Sequence, residues 1–318
     1  MIVTTVTVRA PAKINLQLAV GPLRPDGYHD LVTVFHAISL FDEVSVTAAE
    51  TDSVTVSGEG AAHVPADTDN LALRAVSALR AVTGRRGTGP RGTGPSVAAG
   101  VAVTLSKRIP VAAGLAGGSA DAAAALVACN ELWRTGLSQR DLCEVAAGVG
   151  SDVAFAVLGG TAVGRGRGER LTPALVAPTQ YHWVLAFADG QLSTPAVYGT
   201  LDRLREHETA AEPELSSELM SALRAGDSQR LGLALGNDLQ APAISMFPAL
   251  RKTLAAGREF GALGALVSGS GPTCFFLARS ASHATDLAVS LSGAGVCRSV
   301  ARATGPAPGA AVIDPQAP

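Results

Sequence analysis

The sequence has almost no net charge. Its 25 Lys and Arg oppose 27 Asp and Glu, leaving −2 over 318 residues. A balance this near neutral supplies no chain-wide field for DNA, RNA or an anionic membrane, so none of these is an expected partner. Cysteine is scarce too: Cys129, Cys143, Cys274 and Cys297 lie far apart, with no C-x-x-C pair and no His at zinc spacing. That argues against a disulfide framework or a zinc site and for small hydrophobes in a reducing, cytoplasmic compartment. No apolar run reaches the roughly 18 residues that a transmembrane helix needs. The opening stretch, MIVTTVTVRAPAK, alternates like a strand and lacks the apolar core of a secretory leader.

What is present fits a two-domain globular chain. Hydrophobic residues make up 47% against 16% charged, enough to fill a substantial core. Strand alternation dominates the first hundred residues, at 3–8, 31–40 and 44–46. Apolar residues at helical spacing follow in 70–82 (Leu71, Ala75, Leu79, Val82), with Asp67, Thr68 and Asp69 as expected caps. Residues 84–96 repeat RGTGP in succession, a Gly/Pro density that reads as an insertion loop. Residues 97–105 return to strand, 110–133 run from a glycine-rich turn into an Ala-rich helix, and 138–147 form another. A Gly/Arg turn, GGTAVGRGRGE, closes the first half. Beyond it come a buried strand at 183–187, helical stretches at 196–206, 214–235 and 249–259, and a strand–glycine–strand unit at 261–277. Mixed strands and helices predict an α+β fold with two lobes, 1–165 and 166–305, and a disordered Gly/Pro/Ala-rich tail at 306–318.

Four segments could carry chemistry. In 110–121, Gly114, Gly117 and Gly118 precede a helix opened by Ser119, so free N–H groups at the positive end of the dipole could hold an anion. The alternative is a tight strand-to-helix connection, with Asp121 complementing the dipole. The segment matches neither the P-loop nor the dinucleotide fingerprint. Lys13 and Asn15 share a strand face by the period of two. They could serve an anion or a hydroxyl, or be solvated residues of an edge strand. The Asp26-Gly27 turn is followed by Tyr28 and His29, either incidental aromatics or a base-stacking and hydrogen-bonding pair. Asp152 precedes an apolar helical run, as an N-cap or as a base.

Together and in this order these segments resemble the GHMP kinase superfamily: P-A-K-I-N-L at 11–16, P-D-G-Y-H at 25–29, P-V-A-A-G-L-A-G-G-S-A-D-A-A at 110–123 and G-S-D-V-A-F at 150–155. D-N-L-A-L-R-A at 69–75, S-T-P-A-V-Y at 193–198, G-N-D-L at 236–239 and V-S-G-S-G-P at 267–272 fit as well. P-D-G-Y-H is similar to the branch that phosphorylates 4-diphosphocytidyl-2-C-methyl-D-erythritol in the non-mevalonate isoprenoid-precursor pathway, and unlike homoserine, galactose and mevalonate kinases. The resemblance implies a two-lobed fold with the active site in the cleft, an ATP-binding first domain, and ATP with Mg²⁺ as cofactors. It also implies a small-molecule partner, the cytidine-diphosphate-linked methylerythritol, and a monomer or homodimer. Pro110, Val111, Ala112, Ala113, Gly114, Leu115, Ala116, Gly117, Gly118, Ser119 and Ala120 would cradle the triphosphate, Ser119 offering its hydroxyl to Mg²⁺. Asp152 would be the base and Lys13 its partner. Asn15, Tyr28, His29, Thr194 and Tyr198 would hold the substrate, while Asn70 and Lys107 would reach the nucleotide. The glycines at 268–271 would close the site from the second lobe. The rival readings are a kinase for another small alcohol such as homoserine, or a non-catalytic nucleotide sensor.

Overall fold

The alternating Val, Thr, Leu and Ile residues of the first fifty positions form two long antiparallel strands, β1 (Thr5–Leu23) and β2 (His29–Ala49), in a computed structural model that describes residues 4–85, 100–206 and 211–313. The pairing register shifts at Pro11/Ala12 and between Asn15 and Gln17. These irregularities bracket Lys13 and Asn15, as bulges often do beside functional side chains. β3 (Ser53–Gly58) and β4 (Gly100–Lys107) extend the sheet beyond β2. β5 (Thr161–Gly166) and β6 (Arg170–Pro173) form a hairpin on the other part of β2.

On this sheet lie α1 (Leu71–Arg85), α2 (Gly117–Leu132), α3 (Gln139–Val149) and α4 (Ser151–Leu158). The alanine run Ala122–Ala125 is fully buried, and small side chains let α2 sit deep between sheet and neighbouring helices. The second lobe is a four-stranded antiparallel sheet in the order β11 (Ser299–Gly305), β7 (Tyr181–Phe187), β10 (Cys274–Ala278), β9 (Gly264–Val267). Alternate residues of β7 and β10 enter two cores. Trp183, Leu185 and Phe275 join the core of the first lobe, while Val184, Ala186 and Phe276 join one formed with α5 (Thr194–Leu204), α8 (Gln240–Met246), α9 (Ala249–Glu259) and α10 (Ala281–Gly293). Both faces are covered, so these strands read as continuous apolar runs.

The α+β expectation holds. Several local expectations are corrected. The 159–169 segment read as a turn contains β5, which pairs with β2, and β6 follows it in the same sheet. Residues 306–313 are ordered: Ala307 is buried and β12 (Ala311–Ile313) pairs with β1. Residues 314–318 lie outside the described residues, as do 86–96 of the insertion. The 214–235 stretch splits into α6 (Ser217–Ala225) and α7 (Ser228–Ala234) at Gly226, whose φ is +67°. A short parallel strand, β8 (Gly236–Asn237), joins β1. No helix among the described residues is long and apolar enough to cross a membrane.

Candidate active site

Lys13 and Asn15 share a face as the period of two requires. β12 pairs with β1 only at Thr7–Arg9 and the Lys13 N–H bonds the Leu115 carbonyl of the loop instead, yet the pair is buried at 7% and 2% exposure. Burial excludes the alternative of two solvated residues. The Lys13 ammonium donates to Asn15 Oδ1 at 2.8 Å and to the Gly114 carbonyl at 3.1 Å. Its third partner is Asp152 Oδ2 at 3.8 Å, an ion pair too long for a hydrogen bond. Burial pulls the Lys13 pKa below its ordinary value, and the Asp152 charge opposes that shift. Asn15 is held in turn, its amide donating to Thr33 Oγ1 at 2.8 Å. Asp152 is the second residue of α4, and Gly150 is the cap, so the capping alternative for Asp152 falls away. Its carboxylate is free to face Lys13.

The loop before α2 approaches this pair from one side. Gly114 has φ +77°, and a Cβ there would come within 2.1 Å of the Ser268 carbonyl. Only glycine allows that approach. Ala112 and Ala116 take left-handed torsions, φ +52° and +59°, which cost alanine about 1–2 kcal/mol each. The helix opens at Gly117 rather than at Ser119. Among the described residues, the N–H groups of residues 114–119 have no protein acceptor. Such a row at a helix N-terminus is an anion cradle. From the second lobe, Ser268 Oγ donates to the Gly114 carbonyl at 3.0 Å and Ser270 bonds Thr194 at 2.8 Å.

Beneath the loop, Lys107 is 3% exposed, with its ammonium between Asp42 and Asp121 Oδ2. Asp42 Oδ1 also accepts from the N–H groups of Arg108 and Ile109, at 2.6 and 2.8 Å. Lys107 therefore ties the stem of the loop. Asp121 lies beyond the first turn and pairs with Lys107 rather than with the dipole. Burial lifts its carboxyl to about 7, against the pull of Lys107. Asn70, rather than Asp67, Thr68 or Asp69, caps α1, its Oδ1 accepting from Ala72 N at 2.9 Å. Its amide donates to Pro65 O at 2.7 Å. Asn70, Lys107, Gly117, Gly118 and Asp121 nevertheless line one recess of about 250 Å³.

Two adjoining clefts meet at Thr194, Tyr198 and Arg167. One, of about 510 Å³, holds Lys13, Asn15, Asp152, Ser119 and the 112–118 loop. The other, of about 800 Å³, is lined by Tyr28, His29, Tyr198 and Asp202. Tyr28 is 53% exposed with the Arg167 guanidinium 4.8 Å over its ring. His29 is buried, 5.2 Å from the Tyr198 ring. The sequence reading missed Arg167, which sat in the supposed Gly/Arg turn, and Asp202, which follows Tyr198 by one helical turn.

A GHMP kinases N terminal domain matches residues 70–160 and a GHMP kinases C terminal domain matches 219–297. The chain is a member of the GHMP kinase family. It is 55% identical to the 4-diphosphocytidyl-2-C-methyl-D-erythritol kinase of Nocardia farcinica, over 98% of this chain and 97% of that one. It is 54% identical to the protein of the same name from Mycolicibacterium smegmatis, over 97% and 92% of the two chains. A crystal structure of 4-(cytidine 5'-diphospho)-2C-methyl-D-erythritol kinase is similar at a TM-score of 0.73 and 33% identity, covering 94% of this chain and 98% of that one.

Proposed function

We propose that this chain transfers the γ-phosphoryl group of ATP to a hydroxyl of 4-diphosphocytidyl-2-C-methyl-D-erythritol, giving the 2-phosphate and ADP in the methylerythritol phosphate route to isoprenoid precursors. The observation that carries the reading is a juxtaposition. The Lys13–Asp152 pair sits where the unpaired N–H groups of 114–119 meet a second cleft lined by aromatic rings. Phosphoryl transfer asks a protein chiefly to position and neutralise charge. The cradle holds the phosphates, and Asp152 accepts the hydroxyl proton as the new O–P bond forms and the bond to the leaving ADP oxygen breaks. Lys13 pairs with Asp152 and neutralises charge building on the transferred group. Asn15 aims Lys13, with one amide hydrogen left for the substrate. Tyr28 and Tyr198 hold the cytosine between them and His29 bonds its edge; Arg167 and Thr194, lining both clefts, face the diphosphate.

Bound Mg²⁺ supplies charge neutralisation across the phosphates. The residues fit it as a nucleotide-borne ion. No group of three metal-ligating side chains occurs among the described residues, and the cleft oxygens beside the cradle are Ser119 and Asp152. With four free cysteines and an ATP requirement, the enzyme belongs in the cytoplasm. The test is ADP release from ATP with the cytidine-linked tetritol, homoserine, mevalonate and galactose as acceptors. Turnover with the first alone is expected; turnover confined to homoserine would overturn the reading.

A further inference from the structure

His29 opens β2 and turns its ring onto α5, where Thr194, Tyr198 and Asp202 recur every fourth residue and all line the larger cleft. Its Nε2 lies 2.8 Å from Asp202 Oδ1. A carboxylate can only accept, so in the neutral ring the proton resides on Nε2 and Nδ1 keeps its lone pair. Nδ1 has no hydrogen-bond partner among the described residues, and it is not among the buried unpartnered nitrogens, as His36 Nε2 is. His29 lines the cleft that the proposed function gives to the base, and Nδ1 is the ring nitrogen left to accept there. Cytosine presents an amino group on its pairing edge, a donor that suits this lone pair. Uracil presents a carbonyl oxygen at the same position, which would set acceptor against acceptor.

We infer that Asp202 is a positioning residue that fixes the Nε2–H form of His29, so that the cleft accepts a cytosine and rejects a uracil. The inference rests on the cytidine reading above, but its first half is testable without any ligand. Two-bond ¹H–¹⁵N NMR of the full-length protein at alkaline pH should show the Nε2–H tautomer of His29, and Asp202→Ala should shift the ring towards a mixture. A wild-type ring protonated on Nδ1 would overturn the inference.

Calorimetry with CDP and UDP tests the second half. Wild type should favour CDP by about ten- to a hundredfold, the effect of one polar group left unpaired. Asp202→Ala should reduce that ratio to within a few-fold while ATP affinity and the melting temperature hold. A folded Asp202→Ala protein that weakens for CDP and UDP alike, ratio unchanged, would make Asp202 merely structural and overturn the inference. A wild type that binds neither diphosphate would instead overturn the cytidine reading, and this inference with it.

Discussion

At the phosphate end of the cleft the working groups are backbone N–H donors and buried polar side chains; at the base end one ring, Tyr28, stands on the rim over the buried His29 and half-buried Tyr198. The contrast is one of dependence. Lys13 is held by Asn15 from its own strand, by Gly114 from the loop and by Asp152 from α4, with the 268–271 loop pressed on Gly114 from the second lobe. All but the first of those contacts need the completed fold. Tyr28, by contrast, is half exposed on a turn, with the guanidinium of the exposed Arg167 over its ring. Chemistry common to a family suits the first construction. Discrimination among acceptors suits the second, because rim side chains can change without disturbing the core.

If that division is real, substitutions at the two ends should fail in different kinetic terms. The largest effect is expected at Lys13. Lys13→Met should lower kcat by roughly 10²–10⁴-fold with little change in KM for the cytidine substrate, measured by steady-state ADP release. Next comes Tyr28→Ala, which should raise KM for that substrate about ten- to a hundredfold, since stacking on a base is worth ~1–3 kcal/mol. Its KM for ATP should hold; a parallel rise in both would erase the distinction between the ends. Gly118→Val should weaken ATP by about tenfold in calorimetry and leave CDP binding intact. Gly118 is the right place for that test because a side chain there would meet only Leu71, at 3.4 Å. At Gly117 it would press on Ile109 and Lys107 instead.

The smallest effect concerns the stem. Burial raises the Asp121 carboxyl from an ordinary 3.8 to about 7. A raised folded-state value means the folded chain binds the extra proton across that interval. Asp121 therefore stabilises fully at pH below about 4 and progressively less as the pH climbs through 7. Melting temperature should fall over that window, and Asp121→Asn should flatten the fall and melt higher than wild type at pH 8. An unchanged pH profile in the variant would show that Asp121 does not titrate there.

The two ends also differed in how legible they were. The Lys13–Asn15 pairing followed from the pleat of a strand, and the loop from its glycines and the alanine helix behind it; both are local. Their burial was not legible, because it depends on β2 and on the loop at 114–115, about a hundred positions later, which packs over the pair. The ion pair of Lys107 with Asp42 was not legible, because its partner is 65 positions earlier. Asp202 was missed for the same reason, as it meets His29 from 173 positions away. Asn70 was passed over as a cap because three acidic or hydroxyl residues precede it and spacing alone does not choose among four neighbours. The family resemblance rested on the order of the motifs, and geometry moved Asp121 from the dipole to the stem, where it pairs with Lys107.

The most direct test of the proposed reaction centre is kcat for Asp152→Asn, alone and combined with Lys13→Met, at saturating ATP and cytidine substrate with thermal melts alongside. If Asp152 is the base and Lys13 its charge partner, each single variant stays folded and loses roughly 10²–10⁴-fold, and the double loses far less than the product of the two. A folded Asp152→Asn enzyme that keeps most of its turnover, or losses that multiply in full, would contradict the account.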